Sequence, residues 1–124
     1  MGIDIYARWQ GQTGAEIATQ DKAWLSVASG RVGYPREAYH GGPYATRFLC
    51  AEAFDAPGGA YMPASALRER LALALALVER RERSLYNASP AEIEEVKQSF
   101  HDFVSLCERK EQETGQAVRI CASW

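Results

Sequence analysis

The chain has 124 residues, 47% hydrophobic and 24% charged, with 14 Lys+Arg against 16 Asp+Glu and a formal net charge of −2. That is one domain's worth of chain, long enough to bury a core without disulfides or metal, so residues 1–124 read as a single domain. The composition excludes collagen-like, disordered and disulfide-scaffold proteins, and the near-neutral balance supplies no field toward nucleic acid or anionic membrane.

The first segment alternates, with Ile3, Ile5, Ala7 and Trp9 on one side and Asp4, Tyr6 and Arg8 on the other. That is the pattern of a half-buried strand. It lacks the basic region and apolar run of a signal peptide. Residues 10–20 are rich in Gly, Gln and Thr and read as a loop, and Ala23 to Ala28 as a short helix or turn opened by Asp21.

Residues 29–63 hold six of the ten glycines and four of the five prolines, a density that prevents long regular elements. Within them Arg47 to Phe54 reads as a strand, since Phe48, Cys50 and Phe54 alternate with Leu49, Ala51 and Ala53. The remainder reads as a long structured loop, of the kind that often carries function in small domains.

From Pro63 to about Arg83 a helix is expected. The run from Leu71 to Val78 alternates like a strand, but Ala and Leu are strong helix formers and Pro63 suits a first turn. Leu67, Leu71, Leu75 and Val78 form one stripe and Leu73 with Leu77 a second, which predicts cover on more than one side. Ser89-Pro90-Ala91-Glu92 is a capping box with Pro at the first helical position. Ile93, Val96, Phe100, Phe103, Val104 and Cys107 continue at helical spacing toward Gly115, a natural stop. Ala117 to Trp124 alternates again as a closing strand. The fold class that follows is α+β: a small, mainly antiparallel sheet with two long helices packed on one face.

Function classes are narrowed mostly by what is missing. No Walker loop, Gly-x-Ser-x-Gly elbow, dinucleotide-binding glycine pattern or paired Cys/His ligand set occurs. No cofactor is expected, and Glu37 with His40 lacks a third metal ligand, so no metal is expected either. The segment 30–47 stands out. It holds Arg31, Arg36 and Arg47 against one acid, Glu37, with Tyr34, Tyr39, Tyr44 and His40 beside Gly41-Gly42. Arginine forks, tyrosine hydroxyls and one titratable histidine can cradle an anion. The same side chains can equally pack the loop onto the sheet. Ligand-binding candidates are therefore Arg36, Tyr39, His40, Tyr44 and Arg47. His40 is the candidate catalytic base, oriented by Glu37 or Asp4. Asp4 itself points either to solvent or to Arg36, Arg47 or Arg119.

Residues 63–83 carry a net +2 and residues 89–113 a net −4. Such helices can pair with each other, or the acidic face can bind a basic protein partner. Met1-Gly2-Ile3-Asp4-Ile5-Tyr6 and Arg36-Glu37-Ala38-Tyr39-His40-Gly41-Gly42 resemble small bacterial and phage-associated proteins of no assigned activity. The resemblance implies a bacterial origin and no catalytic residue or cofactor.

The leading expectation is a small cytoplasmic binding protein, leaning away from enzyme, that contacts a protein partner or small anionic ligand through the 30–47 loop. The alternative is a small enzyme on an anionic or phosphorylated substrate, with His40 as base and Arg36 and Arg47 as clamps. A base-stacking RNA-binding sheet ranks last, since no ribonucleoprotein motif is present. Three scattered cysteines, Cys50, Cys107 and Cys121, are expected to be reduced and largely buried. Trp124, placed at the end of an exposed edge strand, suggests a homodimer.

Overall fold

Alternation in the first seven strand residues places Ile3, Ile5 and Ala7 in the core and leaves Asp4, Tyr6 and Arg8 half-buried on the other face. This strand, β1 (Gly2–Arg8), organises the sheet in a computed structural model that describes residues 2–23 and 35–124. Helix α1 (Gly14–Ala23) follows, then β2 (Arg36–Ala38), α2 (Ala45–Leu49), α3 (Ala51–Asp55) and β3 (Ala60–Met62). Two long helices, α4 (Ala64–Leu85) and α5 (Pro90–Thr114), precede the last strand, β4 (Val118–Ser123). The strands form one antiparallel sheet in the order β2-β1-β4-β3. The fold is α+β, as the periodicities imply.

The long helices run antiparallel. Arg68 on α4 grips Glu108 on α5 through Nε at 3.0 Å and Nη2 at 2.6 Å, while Lys97 of α5 reaches Glu79 of α4 at 2.9 Å. These two pairs tie the helices together, while Arg70 and Arg81 of α4 pair outside α5, with Glu52 and Glu37. Leu67, Leu71, Ala74 and Val78 of α4 and Phe100, Phe103, Val104 and Cys107 of α5 close over Ile3, Ile5, Val118 and Ile120. The second stripe of α4 is not covered to the same degree, for Leu77 is half-buried and Leu73 is 61% exposed. The α5 cap forms as its sequence requires: Ser89 Oγ accepts from Glu92 N at 3.2 Å, and the Glu92 carboxylate accepts from Ser89 N at 3.0 Å.

Several expectations are corrected. Residues 14–20, read as loop, belong to α1, whose first turn is closed by reciprocal bonds between Thr13 and Glu16 at 2.9 and 3.1 Å. The short helix expected from Ala23 to Ala28 lies almost wholly outside the described residues. The strand expected from Arg47 to Phe54 is instead two short helices meeting at Cys50 (φ −121°, ψ 40°). The buried positions there are Ala45, Thr46, Leu49, Cys50, Ala53 and Phe54, a period near four, and Phe48 points out at 37% exposure. Two short strands, β2 and β3, lie within the stretch read as loop. Gly59 is needed where β3 begins: with φ 95°, a Cβ there would lie 2.6 Å from the Ile120 carbonyl oxygen.

β4 lies between β1 and β3, but β3 pairs only with Val118–Ile120. The Trp124 ring lies 5.1 Å from that of Phe54, tilted by 41°, and the residue remains 59% exposed. Cys50 and Cys107 are buried free thiols and Cys121 is half-buried. Among the described residues no helix is long and apolar enough to cross a membrane.

Candidate functional site

The short strand β2 pairs with β1 so that Ile3 lies opposite Glu37. Alternation then turns Arg36 and Ala38 outward and Glu37 inward, placing a carboxylate at 2% exposure against the core. A buried charge must be paired and hydrogen-bonded to be tolerated. Five donors meet Glu37. Thr46 gives its hydroxyl at 2.6 Å and its amide at 2.8 Å, Ala45 gives its amide at 3.1 Å, His40 Nε2 lies at 3.0 Å, and Arg81 of α4 donates through Nη1. Because the ionised carboxylate only accepts, Nε2 of His40 carries the hydrogen. Burial pushes the Glu37 carboxyl up, but the Thr46 hydroxyl, the Arg81 charge, the Thr46 amide and His40 together hold it below its ordinary value.

The loop from His40 to Tyr44 is shaped around this pair. Tyr44 Oη accepts from the backbone amides of His40 at 3.2 Å and Gly41 at 3.1 Å, and its ring lies 4.3 Å from the imidazole. Gly41 (φ 89°) and Gly42 (φ 77°) turn the chain in left-handed conformations that other residues rarely adopt. The result is a cleft of about 290 Å³ between the loop and the C-terminal half of α4. His40, Gly42 and Pro43 form one wall; Leu77, Arg80, Ser84 and Leu85 form the other, with Arg81 at its base.

Of the sequence candidates, His40 and Tyr44 are brought together, and Glu37 does orient His40. The others lie elsewhere. Arg36 faces Asp4 across β1 at 3.6 Å, one of the alternatives open for that acid. Arg47 sits over the Phe54 ring at 5.2 Å, and Tyr39 is 44% exposed. Neither Arg36 nor Arg47 lines the cleft beside His40, so the expected convergence of both on that histidine is not met. Arg31 and Tyr34 lie outside the described residues.

Two residues were missed. Arg81 continues the buried series Leu67, Leu71, Ala74, Val78 on α4, and an arginine on a core stripe is itself a sign of a buried acid opposite. Arg80, its exposed neighbour, makes no hydrogen bond or ion pair with any described residue and is the cation offered to the cleft.

Chemically, the buried pair is saturated. Five donors fill a carboxylate that has about four lone-pair directions, so Glu37 has no capacity left as a base. The His40 side chain is 4% exposed with Nε2 committed to Glu37. The ensemble fixes the loop to α4 and leaves Arg80, Pro43, Leu77 and Leu85 lining the cleft. Among the described residues no group of three or more His, Cys, Asp or Glu is arranged to hold a metal. Comparison with protein-family models, curated proteins and solved structures gave no match.

Proposed function

We propose that this is a small binding protein whose contact surface is the His40–Tyr44 loop together with the C-terminal half of α4. The reading is carried by the cleft itself, in which one uncommitted cation, Arg80, stands among Pro43, Leu77 and Leu85. That combination suits an anion attached to an apolar body, whether a small carboxylate or an acidic side chain beside an apolar one on a protein partner. A rigid loop strengthens such a site, because little ordering entropy remains to be lost on binding. The free cysteines, two of them buried, support a cytoplasmic setting.

Hexanoate and inorganic phosphate, followed by chemical-shift perturbation, test this reading. Hexanoate is expected to move resonances of Gly42, Leu77 and Ser84, and Arg80→Gln to weaken it several-fold. Arg47→Lys should leave it unchanged, since Arg47 is held over Phe54. Hexanoate binding that Arg80→Gln does not alter would defeat the proposal. A peptide carrying Asp beside Leu distinguishes a protein partner from a small ligand.

A second reading, an enzyme on an anionic or phosphorylated substrate, is favoured by the 3.0 Å Glu37–His40 pair, a carboxylate-oriented imidazole. In it Arg80 takes the clamping role expected of Arg36 and Arg47. Turnover of 4-nitrophenyl phosphate that His40→Gln abolishes would favour it over simple binding.

A further inference from the structure

We infer a second ligand site at the opposite end of the sheet: a pocket that binds a nucleoside monophosphate between Arg8, Arg119 and Tyr61. The observation begins with register. Arg8 on β1 lies directly opposite Arg119 on β4, and Arg119 lies directly opposite Tyr61 on β3. Alternation puts all three on the sheet face away from the long helices.

The surroundings are equally specific. A cavity of about 360 Å³ opens there, and its walls also include Trp9, Gln10 and Gln116 and, among the described residues, no acidic side chain. Beside it Lys110, 5.3 Å from the Trp9 ring, is ion-paired with Glu113 at 3.0 Å, so the free donors of the pocket come from Arg119. The volume falls in the range of small-molecule and cofactor pockets. Arg119 is held in place because its Nη1 donates to the Gly58 carbonyl oxygen. Its Nε and Nη2 have no acceptor among the described residues and remain as a two-donor fork for phosphate oxygens. Tyr61, 60% exposed, presents a ring on which a base can stack. The side-chain amides of Gln10 and Gln116, which make no hydrogen bond with described residues, can meet polar base edges. Cations for the phosphate, a ring for the base and amides for its edge in one bounded cavity match a mononucleotide better than inorganic phosphate, which leaves the ring unused.

Isothermal titration of adenosine monophosphate and ribose 5-phosphate against the full chain tests the assignment. Adenosine monophosphate is expected to bind saturably at one site, and Arg119→Gln to weaken it about ten-fold or more. Tyr61→Ala should weaken adenosine monophosphate about five-fold or more while leaving ribose 5-phosphate nearly unchanged, because only the base stacks. Arg119 also ties β4 to Gly58, so Arg119→Gln is judged only if its circular dichroism matches wild type; Tyr61→Ala, at an exposed side chain, serves otherwise. No saturable binding at millimolar adenosine monophosphate, or binding unaffected by the folded variants, overturns the proposal. Tighter binding of a single-stranded oligonucleotide than of the mononucleotide overturns it as well, since the site would then be part of a longer nucleic-acid track.

Discussion

Replacing Glu37 by Gln should be among the most damaging single changes in the described chain, although the substitution is nearly isosteric. The carboxylate is buried and faces Arg81, whose side chain is only 6% exposed. Removing the negative charge strands that guanidinium, and breaking one side of a buried ion pair costs about 3–5 kcal/mol. The Gln amide group also turns donors toward the Ala45 and Thr46 donors, and each buried polar group left unsatisfied costs a further ~1–3 kcal/mol. Against a total stability of about 5–15 kcal/mol for a domain, this is a large share. Arg81→Met should cost less than Glu37→Gln, because the carboxylate would keep its Thr46, Ala45 and His40 partners. The double variant should then lose less than the two singles together. Urea unfolding of the four proteins, followed by circular dichroism, gives the cycle directly. A Glu37→Gln cost within about 0.5 kcal/mol of zero, or single costs that simply add, would refute the claim that these charges are buried together.

The same carboxylate sets an acid sensitivity. Its folded pKa is depressed, so its contribution is fully present above the unfolded value of about 4.3 and lost as pH falls through that value toward the lower folded one. The stability gap between wild type and Glu37→Gln should therefore narrow with acidification, read from urea midpoints at pH 6, 5 and 4; a gap that widens counts against it. Ser89→Ala should cost about 0.5–2 kcal/mol in the same assay, since it removes the acceptor for the Glu92 amide; no change would mean α5 is not held by its cap. Thiol titration should find Cys121 reacting first in the native protein and all three cysteines after denaturation, because burial raises the Cys50 and Cys107 thiols and shields them. Rapid native reaction of all three would contradict that burial.

What could be read from the chain alone was whatever local chemistry decides. The alternation of Ile3, Ile5 and Ala7, the Ser89-Pro90-Ala91-Glu92 box and the apolar repeat from Ile93 to Cys107 each act within a few residues, and β1 and α5 follow from them. A second local signal, Thr13 followed by Glu16, marks the start of α1 in the same way, though the Gly- and Gln-rich surroundings mask it. Residues 45–55 show how a short apolar run leaves the period open: the same side chains alternate as a strand or repeat as a helix, and packing of α2 on α4 selects the helix. Tertiary structure alone decides the site. Glu37, Thr46 and Arg81 are separated by 9 and 35 positions, and no local rule joins them. Only when β2 pairs with β1 and α4 packs over the core does the inward strand position meet the arginine on the core stripe of α4. Arg36 and Arg47, close to His40 in sequence, are carried away from it by the strand alternation and helix turn that set where each side chain points.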